Sequence, residues 1–169
     1  RDSLYQGTVG ESGWPYVQHR GGPPGFLKVL DERTIGYADF SGNRQYLSVG
    51  NLAGDNRVSL FLMDYAQQRR LKIWGRVRFV DESLEPDLIA RLESPDYRAR
   101  VERGVIIHIE AYDWNCPKYI TPRYTKAQVD ELLKSANPQR RSASTPKPIG
   151  SGALALAVTG IRQMTPRIR

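Results

Sequence analysis

The sequence has 169 residues, of which 40% are apolar and 25% are charged, a composition typical of one globular domain with its own core. No apolar run approaches the roughly 20 residues that a helix needs to cross a bilayer, and the first residues lack the apolar centre of a signal peptide, so we expect a cytoplasmic protein without a membrane partner. The net charge of +7 favours an anionic partner. One cysteine and two histidines argue against a disulfide and against a metal site.

The first clear element along the chain is a strand. Residues 1–13 have no strong period and predict at most a short helix or an irregular arm. Residues 14–20 alternate as a strand does. Tyr16, Gln18 and Arg20 lie on one side of this strand, and Val17 and His19 lie on the other. Because both sides are partly polar, we expect this strand to line a ligand cleft or a subunit interface.

A hairpin follows, and after it comes a turn that suits a phosphate group. Residues 26–30 and 34–39 predict the two strands of the hairpin. A glycine-containing turn at residues 41–43 then leads into a short helix at residues 44–52. Such a turn presents free backbone N–H groups, and Arg44 adds a guanidinium that can grip two phosphate oxygens. We therefore assign a phosphate site to Asn43, Arg44, Gln45 and Ser48.

The middle of the chain completes the strands of a barrel. Residues 57–65 and 71–80 predict two further strands, with Gly75 marking a bulge or a close approach in the second. A helical insert is predicted at residues 81–103 and another strand at residues 104–114. At least six strands with a few helices predict a mainly β protein, an antiparallel barrel.

The C-terminal part predicts a helix, a linker and one further segment. The T-x-x-Q sequence at residues 125–128 is a capping box that opens a helix ending at residue 135. Residues 136–152, rich in Pro, Ser, Gly and Arg, predict a linker. Residues 153–169 predict either a last strand of the same domain or the start of a following domain. This segment resembles the first strand of the flavin domain in ferredoxin-reductase-like proteins, so one expectation is a fused reductase domain after Arg169.

The usual signatures of side-chain catalysis do not occur in the sequence. It has no G-x-S-x-G, no P-loop, no G-x-G-x-x-G and no H-E-x-x-H. If the protein is an enzyme, a cofactor should therefore supply the chemistry.

The order of the elements and a few short motifs resemble a known family. The residues that carry the resemblance are Lys28, Asp31, Glu32, Asn43, Arg44 and Gln45. Within residues 14–124 they are similar to the pattern LLK-x-x-D-E…S-R-K of the flavin-binding split barrels of the pyridoxamine 5'-phosphate oxidase-like superfamily. The resemblance implies a split barrel that binds flavin mononucleotide (FMN). It also implies hydride or electron transfer to a small-molecule substrate by a homodimer whose cofactor sites lie at the interface.

The resemblance also implies which residues contact the cofactor, while no catalytic residue is assigned. The predicted cofactor-binding residues are Gln18, His19, Arg20, Lys28, Asp39, Phe40, Asn43, Arg44, Gln45, Ser48, Trp74, Trp114, Cys116 and Pro117. The three residues of the first strand would donate to the electron-rich edge of the flavin ring and stabilise its reduced form. Lys28 would lie near the open face of the ring, and residues 114–123 would close over the cofactor across the dimer.

Two features limit the resemblance and leave alternatives open. Asn43-Arg44-Gln45 stands where the family has S-R-K, and the family's C-terminal Arg and His run has no counterpart, so pyridoxamine phosphate is not the expected substrate. One alternative is a non-catalytic basic barrel that binds nucleic acid or a partner domain. Another is a related barrel that takes a deazaflavin or haem. We favour an FMN-binding domain at residues 1–135 and do not expect nucleic acid as its partner.

Overall fold

The fold is an antiparallel sheet of seven strands with three helices, seen in a computed structural model that describes residues 2–42, 45–94, 96–97, 99–115 and 117–136. The strands are β1 (Ser3–Val9), β2 (Pro15–Gly21), β3 (Lys28–Asp31), β4 (Thr34–Phe40), β5 (Arg57–Asp64), β6 (Arg69–Val80) and β7 (Val101–Asn115). The helices are α1 (Leu47–Gly54), α2 (Pro86–Leu92) and α3 (Lys126–Ala136). The strands run in the order β2-β1-β5-β6-β7-β4-β3. The predicted mainly β fold with six to seven antiparallel strands is confirmed.

Alternation along the strands gives the sheet an inner and an outer face. Leu60 on β5, Ile73 on β6 and Ile107 on β7 are fully buried, and they belong to one apolar cluster to which β1 and β4 also contribute. The residues between them point outward. Burial of such side chains contributes about 1.5–3 kcal/mol each, so this inner cluster is the main source of stability.

Side chains close the sheet into a barrel. Tyr37 on β4 donates its hydroxyl proton to Oε1 of Gln6 on β1 at 2.7 Å. Arg20 on β2 donates to Oδ1 of Asp39 on β4 at 2.7 Å. Three strands separate β1 from β4 in the sheet order. The sheet must therefore curve until these distant strands face each other, and the gap between them is bridged by side chains, as in a split barrel.

Helix α2 covers part of the outer face. Pro86 stands in its first turn, where a missing N–H costs nothing, and Ile89 and Leu92 are buried against a second apolar cluster on β4, β6 and β7. Strand β4 presents Gly36 there, and a Cβ added to it would lie 2.9 Å from Leu92 Cδ2. The absent side chain lets the helix approach the sheet.

The predicted bulge at Gly75 is confirmed. The register of β6 against β7 shifts between Trp74 and Gly75. A Cβ added to Gly75 would lie 2.5 Å from the backbone oxygen of His108, closer than real Cβ atoms come. Glycine is therefore required where the two strands approach most closely.

The local predictions for the first residues, for α1 and for the start of α3 have different outcomes. The helix or arm predicted for residues 1–13 is wrong, because residues Ser3–Val9 form β1 between β2 and β5. Helix α1 begins at Leu47, later than predicted. The capping box is confirmed, since Thr125 N–H donates to Gln128 Oε1 at 2.9 Å and Gln128 N–H donates to Thr125 Oγ1 at 3.3 Å.

Two further points concern the limits of the described chain. The predicted linker beyond residue 136 and the segment at residues 153–169 lie outside the described residues. Within the part that the structure describes, none of the helices is long and apolar enough to cross a membrane.

Candidate functional site

A network of polar side chains lies where the end of β4 and the start of β7 meet β1, β2 and the start of α1. We call it the barrel-end network: Gln6, Gln18, Arg20, Tyr37, Asp39, Tyr46, Ser48, Glu102 and Arg103. At its centre is Asp39 at the end of β4, of whose side chain 8% is exposed. Asp39 stands two residues after Tyr37 on β4, so its side chain points to the same inner face as the buried Tyr37.

Two arginines flank the Asp39 carboxylate. Arg20 Nη1 lies 2.7 Å from Asp39 Oδ1, and Arg103 Nε lies 3.6 Å from Asp39 Oδ2. Arg103 also donates to Glu102 at 3.1 Å, and Glu102 accepts the Tyr46 hydroxyl at 3.1 Å. The Arg103 guanidinium carbon stands 5.4 Å from the centre of the Tyr46 ring. These contacts hold both guanidinium groups in defined positions.

Hydrogen bonds fix helix α1 beside these arginines. The fully buried Ser48 donates to Oε1 of Gln18 at 2.7 Å, and Asn51 donates to Oγ1 of Thr8 at 3.0 Å. Among the described residues, Tyr46 at the N-cap position of α1 makes no side-chain cap, and the first turn of the helix contains no acidic residue. Its first N–H groups and its positive dipole end thus lie next to Gln18 on the barrel wall.

The electrostatics of the network are set by burial. Burial raises the pKa of the Asp39 carboxyl above its usual value, and the charges of Arg20 and Arg103 offset this only in part. Burial also raises the pKa of Tyr37, so its hydroxyl stays protonated and serves as a hydrogen-bond donor. The Asp39 and Tyr37 side chains are therefore shielded from water and sensitive to any added charge.

The network contains donors that the described residues do not satisfy. Gln6 Nε2, Arg20 Nε and Arg103 Nε are buried and have no hydrogen-bond acceptor within the described chain. A buried donor without an acceptor costs about 1–3 kcal/mol. A ligand with anionic or carbonyl oxygens would recover this energy, so the residues present fit the electron-rich edge or the phosphate of a flavin nucleotide.

Comparison with known proteins identifies the family. The family model described as pyridoxamine 5'-phosphate oxidase matches residues 4–113, more than half of the chain. The chain belongs to this family. The match includes β1 to β7 up to Asp113 and thus every strand that contributes to the barrel-end network. No curated protein sequence matches the chain.

Solved structures support the same fold. The conserved hypothetical protein Rv2991 of Mycobacterium tuberculosis is 15% identical, with a TM-score of 0.51 over 90% of this chain and 88% of that one. HupZ of Group A Streptococcus is 12% identical, with a TM-score of 0.50 over 68% of this chain and 91% of that one. At such identities the similarity shows the fold alone.

Within this oxidase-family barrel, the structure brings four of the predicted site residues together. Gln18, Arg20, Asp39 and Ser48 all belong to the barrel-end network. Gln45 is exposed shortly before α1. The predicted phosphate-binding residues Asn43 and Arg44 and the predicted ring contact Cys116 lie outside the described residues.

The other predicted residues in the described part of the chain lie outside the barrel-end network. His19 lies on the outer side of β2 with its ring edge-on to Tyr5, and Trp74 is exposed on the outer face of β6. Lys28 pairs with Gly36 in the β3–β4 hairpin. Phe40 packs edge-on against the Tyr97 ring, with centroids 4.8 Å apart.

Two predicted residues lie at the far end of β7. Trp114 pairs with Leu71, and the guanidinium of Arg69 lies 4.8 Å above its ring. Pro117 is exposed just beyond. Eleven residues of extended strand from Arg103 to Trp114 correspond to about 35 Å, so neither residue can contact Asp39 within one barrel.

Sequence reasoning missed the other half of the network. Arg103, Glu102, Tyr46, Tyr37 and Gln6 carry its contacts, and none was predicted as a site residue. The alternation of inward and outward residues along β7 could have indicated one of them. Arg103 is in phase with Val105 and Ile107, which face inward, and a charged residue on an inward position indicates a buried partner or a ligand.

Proposed function

We propose that this chain is an FMN-binding oxidoreductase that acts as a homodimer and passes hydride or electrons to a small-molecule substrate. The observation that carries the proposal is the barrel-end network, where buried guanidinium donors of Arg20 and Arg103 lack acceptors among the described residues. Membership of the oxidase family supports the same conclusion. When bound, the flavin would supply the capacity to take up and release electrons.

The residues of the chain would bind and orient this cofactor. The uncapped first turn of α1 and the preceding Asn43, Arg44 and Gln45 suit its phosphate, because helix N–H groups and a guanidinium together neutralise a dianion. Arg20 would donate to the electron-rich edge of the ring, with Asp39 fixing its orientation. The low exposure of Arg20 and Asp39 keeps water away from their ion pair, which strengthens that interaction.

The homodimer is supported by an open sheet face. Val17, Gly7, Ser59, Trp74 and Ala111 form one row across β2, β1, β5, β6 and β7. Val17 and Trp74 are 65% and 57% exposed, and the residues between them are small. A flat row of small residues between two exposed apolar side chains suits the sheet of a second copy.

The visible absorption spectrum of the purified protein tests the cofactor. We expect a yellow protein that releases FMN on denaturation, and we expect Arg44→Ala to lose far more flavin than Arg140→Ala. Equal flavin retention by the two variants would contradict the phosphate assignment. A spectrum typical of haem or of a deazaflavin would identify that cofactor, and not FMN, as the ligand. A colourless protein whose oligonucleotide affinity falls steeply with salt would favour the nucleic-acid alternative.

Measuring the mass in solution tests the dimer. Trp74→Glu places a charge in the open sheet face and should yield a monomer in analytical ultracentrifugation. Leu84→Glu is the control, because Leu84 is also an exposed apolar residue, 81% exposed, but lies in the turn before α2. If both variants keep the wild-type mass, this face is not the dimer interface.

A further inference from the structure

A second polar recess lies on the outer face of the barrel, away from the barrel-end network. We call it the outer-face groove; it has a volume of about 480 Å³ and lies between β3, β4, β6, β7 and helix α2. Arg76 on β6, His108 on β7 and Thr34 on β4 form one row across its floor. Arg78 stands two residues further along β6, which places it on the same face about 7 Å away.

Three guanidinium groups hold fixed positions around this groove. Arg76 donates from Nε to Glu110 at 2.6 Å and from Nη1 to Asn56 at 3.1 Å. Arg78 donates through both terminal nitrogens to Glu85, and Arg91 on α2 donates to the backbone oxygen of Leu30 at 3.2 Å. Because these contacts hold the arginines in place, a ligand would meet donors that need little further ordering.

The charge of the lining favours an anion. Three arginines line the groove, and Asp31 is the one acidic residue among its described lining residues. The Asp31 carboxylate accepts the Arg33 backbone N–H at 2.8 Å in its own turn. That hydrogen bond holds the pKa of Asp31 below its usual value. Arg76 and Arg78 are paired with Glu110 and Glu85, which are not among the described lining residues, so the lining itself presents three guanidinium groups and one carboxylate to a ligand.

The rest of the lining is apolar, which indicates the size and type of ligand. Leu30, Val77, Leu88 and Ile106 complete the walls. A recess of this volume exceeds the need of a bare phosphate ion and falls within the range of small-molecule sites. The strand bulge at Gly75 lies directly before Arg76, and such bulges re-aim the side chains beside them.

We propose that the outer-face groove binds a small organic anion, with Arg76, Arg78 and Arg91 contacting its phosphate or carboxylate group and the leucine-lined wall contacting its apolar body. This site differs from the flavin site, which involves the inner face and the start of α1. Thr34 on the outer face and Asp39 on the inner face are five residues apart along β4, about 17 Å. Both sites can therefore be occupied together.

An NMR titration of the full chain carrying one equivalent of FMN tests this proposal, because the inner-face site is then occupied and little free FMN remains to compete for the groove. Phenyl phosphate and benzoate serve as anionic probes, and benzyl alcohol is the neutral probe of similar shape. We expect saturable shifts of the amide signals of Thr34, Ile106 and His108 with at least one anion. Benzyl alcohol should bind at least tenfold more weakly, because it lacks the charge-assisted hydrogen bonds.

Matched variants assign the effect to the groove. Arg91→Gln should weaken anion binding about tenfold, and Arg91→Lys should restore part of it. Arg91 is exposed, so neither change should affect folding. Arg69→Gln is the control: Arg69 is an exposed arginine at the start of β6, far from Arg76 and Arg78, that does not line the groove, and its loss should change the affinity less than twofold. The proposal is overturned if no shift saturates, if the shifts centre on Arg20, or if both Gln variants weaken binding equally.

Discussion

The barrel-end network and the outer-face groove use the same chemistry on opposite faces of one sheet. Arg20 contacts Asp39 at 2.7 Å on the inner face, and Arg78 contacts Glu85 at 2.5 Å on the outer face. The inner side chains are 17% and 8% exposed, whereas the outer ones are 53% and 41% exposed. The two pairs thus have similar geometry but differ in how much water reaches them.

The pKa values of the two carboxyl groups shift in opposite directions, because water reaches the two pairs to different degrees. Burial raises the pKa of Asp39 even though two arginines oppose the shift. The hydrogen bond from Arg78 instead lowers the pKa of Glu85. The inner pair is held together by the surrounding fold against a desolvation cost, while the outer pair forms readily in solvent. An arginine held in this way is already desolvated and ordered when a ligand arrives, which suits the inner site to tight cofactor binding.

The largest expected difference between the two regions is in stability. Arg20→Met keeps most of the packing volume but leaves the buried Asp39 carboxylate with Arg103 alone. We expect the free energy of unfolding to fall by about 3 kcal/mol, near the lower end of the range for breaking a buried ion pair. Arg78→Met is the matched control on the outer face and should cost far less, because exposed pairs contribute little. Urea denaturation of both variants measures the difference.

Equal losses in the two variants would contradict this view of the network. They would mean that Asp39 gains enough from Arg103 or from water to compensate for the missing partner. Arg103 Nε lies 3.6 Å from Asp39 Oδ2, beyond hydrogen-bond length, so we do not expect it to replace Arg20.

The strands that bury alternate apolar residues could be read from the sequence. Strands β4 to β7 are rich in apolar residues, β6 with a clean alternation, and all four were predicted near their observed bounds. Strand β1 was missed because two of its three inward residues, Gln6 and Thr8, are polar. Gln6 is tolerated there because Tyr37 donates to it from β4. That contact depends on closure of the barrel, and no local pattern predicts it.

The candidate site shows the same division. Gln18, Arg20, Asp39 and Ser48 were predicted by local motif and by resemblance, and they do meet in the structure. Glu102 and Arg103 come from the far side of a predicted helical insert, whose end was placed at residue 103, whereas β7 begins at Val101. An error of three residues in one boundary thus hid half of the charged groups.

The smallest expected effect is a difference in how stability depends on pH. The folded-state pKa of Asp39 is raised above its ordinary value of 3.8. Between 3.8 and that raised value the folded state binds more protons than the unfolded state, so the contribution of Asp39 is favourable at lower pH and is lost as pH rises through the folded-state pKa. The stability of wild type relative to Asp39→Asn should therefore fall as pH rises through this window.

Glu85 should show the opposite slope. Its folded-state pKa is lowered from 4.5, so its contribution is present above 4.5 and is lost as pH falls through the folded-state pKa. The stability of wild type relative to Glu85→Gln should thus rise with pH over that window. Urea midpoints of the three proteins between about pH 3 and pH 7 give both slopes, and subtraction from wild type removes the titration of the other groups. Slopes of the same sign would mean that water reaches Asp39 as freely as it reaches Glu85, and the contrast between the two faces of the sheet would then be lost.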